Sequence, residues 1–261
     1  MARIALGLEY DGTDFIGWQV QRAGRSVQAA LQAAVSRVAD QPTTIAGSGR
    51  TDAGVHALQQ VAHFDTDVER SSRQWILGIN SNLPEDVAVR WAHPVDSGFD
   101  ARRSALFRRY HYAIVQSATR PAVVRRMSWW LREHLDCAAM TAAGISWLGE
   151  NDFSAFRSAG CQSRTPMRRL ISFSVFRRGH FVVVEFTANA FLQHMVRNLV
   201  GVLVEIGQGK APVDWAREVL RSRDRTQGGV TAPPHGLSLV EVGYPARDGI
   251  PAAPEGLLGV S

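Results

Sequence analysis

The sequence predicts an α/β protein of the α+β kind: two tandem ferredoxin-like βαββαβ units, each a central antiparallel sheet flanked by helices. Three observations lead there. Apolar residues alternate singly in some segments and recur at three- and four-residue spacing in others, so strand and helix periods are both present. The order strand, helix, strand, strand, helix, strand runs through residues 1–100 and then repeats. A length of 261 residues suits one large or two small domains. The division is drawn at 1–100 and 101–245, with a linker near 96–106 and a Pro/Gly-rich loose tail over 246–261. A cleft at the junction of the two units is the expected place for a site.

The elements follow in order. Ile4, Leu6, Leu8 and Tyr10 share one face of a strand over 2–10. Ser26 is an N-cap for a helix over 26–39, whose Val27, Ala30, Leu31, Ala34, Val35 and Val38 form one apolar face. Short strands near 43–48 and 59–65 come next. A helix runs from Ser71 or Ser72 to Asn80, and a strand over 86–93 carries Val87, Val89 and Trp91. In the second half, Tyr110, Tyr112 and Ile114 line one face of a strand over 107–115, and Asp136 caps a helix to 148. Residues 168–177 and 180–188 make a hairpin around Arg178-Gly179. A long helix over 189–206 presents Phe191, Met195, Leu199, Val202, Leu203 and Ile206, and Gly207 and Gly209 stop it. A short helix over 213–222 and a strand over 237–243 close the pattern, and Trp129-Trp130 is expected to pack on the second sheet.

Composition narrows the class. At 45% hydrophobic and 20% charged residues, the chain reads as globular rather than disordered. No apolar run approaches the ~18 residues of a membrane span. The first residues offer one arginine and a short apolar stretch before Glu9, too little for a secretory signal, so a cytoplasmic setting is expected. Cys137 and Cys161 make neither a disulfide framework nor a metal cluster, and the eight histidines lack metal spacing. Charge is uneven. Residues 1–100 hold 8 basic and 12 acidic residues, whereas 101–178 hold 14 arginines against 4 acids. A local excess of that size points to a polyanion.

Gly47-Ser48-Gly49-Arg50-Thr51-Asp52-Ala53-Gly54-Val55-His56 is the most unusual segment. Its glycines mark a tight loop, yet it is neither a dinucleotide fingerprint nor a P-loop, since the sole lysine is Lys210. What remains is one carboxylate beside one guanidinium on a rigid turn, suited to a nucleophile or base. The bland alternative is an Asx-turn at Asp52 and a surface ion pair at Arg50. Tyr110 and Tyr112, flanked by Arg108 and Arg109, form either a base-stacking surface or an aromatic stripe in the core; the core is favoured for Tyr112. Arg197, in the middle of an otherwise apolar helix with Gln193 and His194 nearby, is either paired with a carboxylate or snorkels at the helix edge. Cys161 has no activating base near it in sequence and is read as structural.

Gly49-Arg50-Thr51-Asp52-Ala53-Gly54-Val55-His56 resembles the signature of the tRNA pseudouridine synthases of the TruA type. The likeness extends in order through Gly17-Trp18-Gln19, Arg109-Tyr110-His111-Tyr112, Asn151-Asp152-Phe153 with Phe156, Phe191 to Asn198, and His235-Gly236-Leu237, covering roughly residues 2–245. The resemblance implies the pseudouridine synthase fold, with the catalytic cleft at the junction of its two units. It implies isomerisation of uridine to pseudouridine at positions 38, 39 and 40 of the tRNA anticodon stem-loop, without cofactor or metal, by a homodimer. Carried over by motif, Asp52 is the catalytic aspartate, Tyr110 contacts the target base, Arg197 pairs with Asp52, and Arg50 helps hold the flipped-out nucleotide. The chain departs from the pattern at Gln59, where relatives often have glycine, and at Ser238, where they often have an aromatic residue. The tail has no counterpart.

The chemistry agrees. Isomerisation breaks the C1′–N1 bond, rotates the uracil and forms a C1′–C5 bond, so no atom needs a carrier. One carboxylate can attack C1′ or C6, or help remove a ribose proton, and the sequence leaves these open. Tyr110 is a candidate for taking the C5 proton. Two other classes are weighed: a non-catalytic RNA-binding module, which has no use for Asp52 in a phosphate-facing loop, and a base glycosylase, which would release free uracil. The expected partner is tRNA, with neither DNA nor membrane.

Overall fold

The computed structural model describes residues 1–253. In chain order it holds β1 (Ala2–Tyr10), α1 (Val27–Ala39), β2 (Ala46–Gly47), β3 (His56–Thr66), α2 (Ser72–Asn80), β4 (Val87–Val95) and β5 (Phe107–Gln116). Then come β6 (Trp129–Leu131), α3 (Cys137–Ile145), β7 (Gly149–Asp152), β8 (Met167–Arg178), β9 (Phe181–Ala188), α4 (Met195–Gly207), α5 (Trp215–Ser222) and β10 (Leu237–Gly243). The described chain divides into two compact units, Met1–Leu106 with the described residues from Leu239 on, and Phe107–Ser238.

In the first unit the strands run β4-β1-β3-β10, with β2 also on β3. β1 is antiparallel to both neighbours, the split pairing of a ferredoxin-like unit. Pro94, which has no N–H to give, sits in the end strand β4, where that loss is tolerated. The helices form where the sequence caps them. Ser26 Oγ accepts the Ala29 N–H at the start of α1, and Val27, Leu31, Ala34 and Val35 are buried. Ser71 and Gln74 make a reciprocal capping box at α2, which seats Trp75 edge-on against Phe64 of β3 at 5.2 Å.

In the second unit the order is β5-β9-β8-β7, antiparallel throughout, with β6 added parallel to β5. Tyr110, Tyr112 and Ile114 stand opposite Phe186, Val184 and Val182 and are all buried. α4 buries Met195, Leu199, Val202, Leu203 and Ile206. Asp136 Oδ1 accepts two N–H groups at the head of α3, and Gly144 lets the Phe173 ring lie against that helix. Trp129 packs edge-on against Tyr112.

Four features differ from the sequence reading. β10 follows the second unit's helices, but from Leu239 on it belongs to the first unit, hydrogen-bonded to β3. α4 begins at Met195 rather than 189. Asn189 Oδ1 accepts the Ala190 N–H, the Gln193 carbonyl is taken by the Ser158 N–H, and His194 sits at φ 63. Arg197 therefore lies in the first turn of the helix, not its middle. β6 and β7 are additions. The stretch from 246 is partly tied down: Ala246–Asp248 forms a single 3₁₀ turn, and Gln59 Nε2 donates to the Pro251 carbonyl at 3.0 Å. The expected tail over 254–261 lies outside the described residues. Among the described residues, no helix is long and apolar enough to cross a membrane.

Candidate active site

The Gly47–His56 loop is held in the first unit by a close-fitting brace. Gly12 and Gly17 leave no room for a side chain: a Cβ on Gly12 would stand 2.0 Å from the Val55 carbonyl oxygen, and one on Gly17 2.6 Å from that of Thr51. Trp18 N–H donates to the same Thr51 carbonyl at 3.1 Å, and the Trp18 indole fills the space over Gly47. Gly54, at φ +76, turns the chain and donates to the Phe15 carbonyl. The buried His56 accepts the Gly12 N–H at Nδ1. Gly17-Trp18-Gln19 thus acts as a buttress for the loop.

From beneath, the loop rests on buried polar side chains. Ser48 and Thr51 point inward, Arg50 is exposed and Asp52 is half-buried. Tyr10 and Thr51 hydroxyls lie 2.8 Å apart, Gln60 Oε1 accepts from Ser48 Oγ, and Gln60 Nε2 donates to the Gly49 carbonyl at 2.9 Å. Burial pushes the Tyr10 phenol up to about 12, against the opposing effect of its bonds with Thr51 and Gln60. Arg50 and Asp52 therefore stand on a turn whose residues 48, 49 and 51 are anchored.

Tyr110 and Arg197 belong to the second unit. Tyr110 is only 9% exposed, with its ring edge-on to Phe191 at 5.0 Å. Tyr112 is fully buried, its hydroxyl donates to the Pro233 carbonyl, and burial raises its phenol well above the ordinary value against the nearby Arg197 charge. Arg197 Nε donates to the adjacent Ala232 carbonyl at 2.7 Å, and Ala232 N–H returns a bond to the Arg197 carbonyl. Tyr112 and Arg197 thereby grip successive carbonyls of one segment. Asn198 in the same turn reaches the Phe156 carbonyl, and Arg225 and Thr231 both donate to its Oδ1. On β5 and β9, His111 Nε2 and Glu185 Oε2 stand 2.7 Å apart, and that bond holds the carboxyl below its ordinary range.

Sequence reasoning missed Tyr10, Gln60 and Ser48. The one signal was Gln60 itself, a polar residue followed by apolar Val61 and Ala62 on a strand. It also left Cys161 without a partner. Burial raises that thiol, but the Ser163 and Gln193 N–H groups and the Arg157 charge outweigh it and bring it below the ordinary value. Among the described residues, no group of three or more His, Cys, Asp or Glu could hold a metal ion.

The family model described as tRNA pseudouridine synthase matches residues 8–102 and 143–245. Three relatives named tRNA pseudouridine synthase A lie close in sequence. That of Coxiella burnetii is 51% identical over 98% of this chain and 98% of its own length. Those of Alcanivorax borkumensis and Aeromonas hydrophila are 51% and 52% identical, covering 99% and 98% of this chain and 97% and 95% of theirs. A chain of the Cbf5–Nop10–Gar1 complex aligns over 91% of this chain and 49% of its own, at a TM-score of 0.35 and 12% identity, too low to bear on the assignment. With the family model spanning both halves and half of all positions identical to full-length relatives, this chain belongs to the tRNA pseudouridine synthase family.

Proposed function

We propose that this protein isomerises uridine to pseudouridine at positions 38, 39 and 40 of the tRNA anticodon stem-loop, with Asp52 as the catalytic carboxylate and without cofactor or metal. One observation carries the reading. Asp52, half-buried, sits on a loop braced from two sides, in a chain about half identical to relatives named for this activity. A uridine paired in a stem must leave the stack, at a cost of a few kcal/mol. Arg50, exposed beside Asp52, fills the vacated space and holds a phosphate. Tyr110 meets the target base with its hydroxyl edge, and Arg197 pairs with the Asp52 carboxylate. The reaction breaks C1′–N1, forms C1′–C5, releases the C5 proton and returns one proton to N1. Asp52 begins this by attack at C1′ or C6 or by assisting loss of a ribose proton.

The arginine-rich stretch 101–178 grips the phosphate backbone, so affinity falls steeply as salt rises. Serving three adjacent positions fits recognition of tRNA shape rather than of local sequence. The protein acts in the cytoplasm as a homodimer, a state that light scattering of the purified chain tests directly. The activity is tested with a tRNA transcript carrying uridine tritiated at C5, in the presence of chelator. Tritium released into water without free uracil is the expected result. Free uracil would identify a glycosylase, and tight binding with neither product a simple RNA-binding module.

A further inference from the structure

We propose that Gln60 and Tyr10 are positioning residues that set the pose of the Asp52 carboxylate through a buried hydrogen-bond network under its loop. The proposal rests on the reading of Asp52 as the catalytic group and adds to it how that group is aimed.

Gln60 is fully buried and Tyr10 is 4% exposed. A buried amide is costly unless both its ends are satisfied. Here the Gln60 oxygen accepts from Ser48 Oγ and the nitrogen donates to the Gly49 carbonyl. The Tyr10 hydroxyl bonds the Thr51 hydroxyl. Residues 48, 49 and 51 are thereby tied to β3 and β1, on either side of Arg50 and immediately before Asp52. A leucine or methionine at 60 would fill the same interior volume and would leave the loop's Ser48 hydroxyl and Gly49 carbonyl without these bonds. Apolar packing at 60 would thus orphan polar groups of the loop, whereas a directed amide satisfies them and fixes where the Gly49 carbonyl stands. The phenol stays protonated across the physiological range, so the network carries no charge that would compete with Asp52. Catalytic groups must be held to within about 0.5 Å, a tolerance that a glycine-rich turn alone does not supply.

The test uses the full chain and the tritium-release assay in single turnover, with enzyme in excess, alongside tRNA affinity by filter binding and thermal melting. The variants are Gln60→Met, Gln60→Glu and Tyr10→Phe. Val35→Ala in α1 is a destabilised control remote from the loop, and Asp52→Asn is the reference. Gln60→Met and Gln60→Glu are expected to slow the single-turnover rate by about tenfold or more, and Tyr10→Phe by a few-fold, because a displacement of about 1 Å costs up to about 100-fold. Affinity for tRNA stays within about twofold of the parent, and Val35→Ala, melting at least as early, keeps its rate. If Asp52→Asn is inactive and Gln60→Met keeps the parent rate, the network is structural and the proposal fails alone. If Asp52→Asn turns over normally, the reading of Asp52 fails and takes the proposal with it. Should the Gln60 variants not fold, an unchanged rate in Tyr10→Phe overturns the proposal.

Discussion

The Thr51 carbonyl oxygen occupies the space beside Gly17 so closely that a Cβ there would approach it to 2.6 Å. The same carbonyl accepts the Trp18 N–H. Gly17 also has φ +109, a conformation that side-chain-bearing residues rarely adopt. Gly17→Ala therefore strains its own backbone and pushes the loop one residue before Asp52. The expected loss is about 1–3 kcal/mol of stability, with a fall in tritium release at temperatures where the variant is still folded. Melting and activity both at parental values would show that the loop is not braced at this point.

Tyr110→Phe separates ring from hydroxyl. The ring's edge-on contact with Phe191 survives the change, so stability should fall by less than about 1 kcal/mol. The single-turnover rate should fall sharply if the hydroxyl takes part in proton removal from C5. Full activity in this variant would remove the hydroxyl from the mechanism and leave Tyr110 as packing.

Arg197→Ala deletes the bond to the Ala232 carbonyl, a charge-assisted hydrogen bond worth about 1.5–3 kcal/mol. The proposed pairing with Asp52 makes a second claim. The stability effects of Arg197→Ala and Asp52→Ala should be non-additive, with a coupling of about 0.5–3 kcal/mol, as expected for groups in direct contact. Strict additivity in a chemical-denaturation cycle would count against the pair while leaving the Ala232 bond in place.

Acid stability offers an independent check of the second unit. The Glu185 carboxyl is held below its ordinary value mainly by its hydrogen bond with His111. A carboxylate with a depressed folded-state pKa contributes stability above its unfolded value, near 4.5, and loses that contribution as pH falls through the folded one. Between about pH 5 and 3 the parent should therefore lose more melting temperature than Glu185→Gln does. Parallel acid profiles for the two proteins would mean that the His111–Glu185 pair contributes little in solution.

Gln59 Nε2 donates to the Pro251 carbonyl. Gln59→Gly should speed amide hydrogen exchange or proteolysis in residues 246–253 while leaving catalysis intact. Unchanged exchange there would show that the 3₁₀ turn at Ala246–Asp248 anchors the segment without it.

Much of this was legible from local signals. Ser26, Ser71 and Asp136 each offer a side-chain oxygen to an N–H two or three residues on, and each starts a helix at the expected place. Period-two alternation put Tyr110, Tyr112 and Ile114 on one face, and the structure buries all three. Asp52 and Arg50 stood out because three glycines in eight residues have few structural uses other than a tight turn. What escaped depended on partners far along the chain. Phe191 and Leu192 continue the apolar stripe of α4, but the Gln193 carbonyl is spent on Ser158, a bond across 35 residues that no window of sequence contains. Gln60 falls in the short strand expected near 59–65, and only the fold brings it under Gly49. For Tyr110 the sequence left a stacking surface and the core both open; the structure leaves it 9% exposed, edge-on to Phe191.

The account turns on Asp52 as the group that makes pseudouridine in tRNA. An unmodified tRNA transcript, incubated with the purified protein in the presence of chelator, would be mapped by carbodiimide treatment and primer extension, with Asp52→Asn in parallel. Modification at positions 38–40 with the parent, and none with a variant that still binds tRNA at near-parental affinity, is the predicted result. Modification that persists in Asp52→Asn, or a parent that binds tRNA tightly and leaves every uridine unchanged, would contradict it.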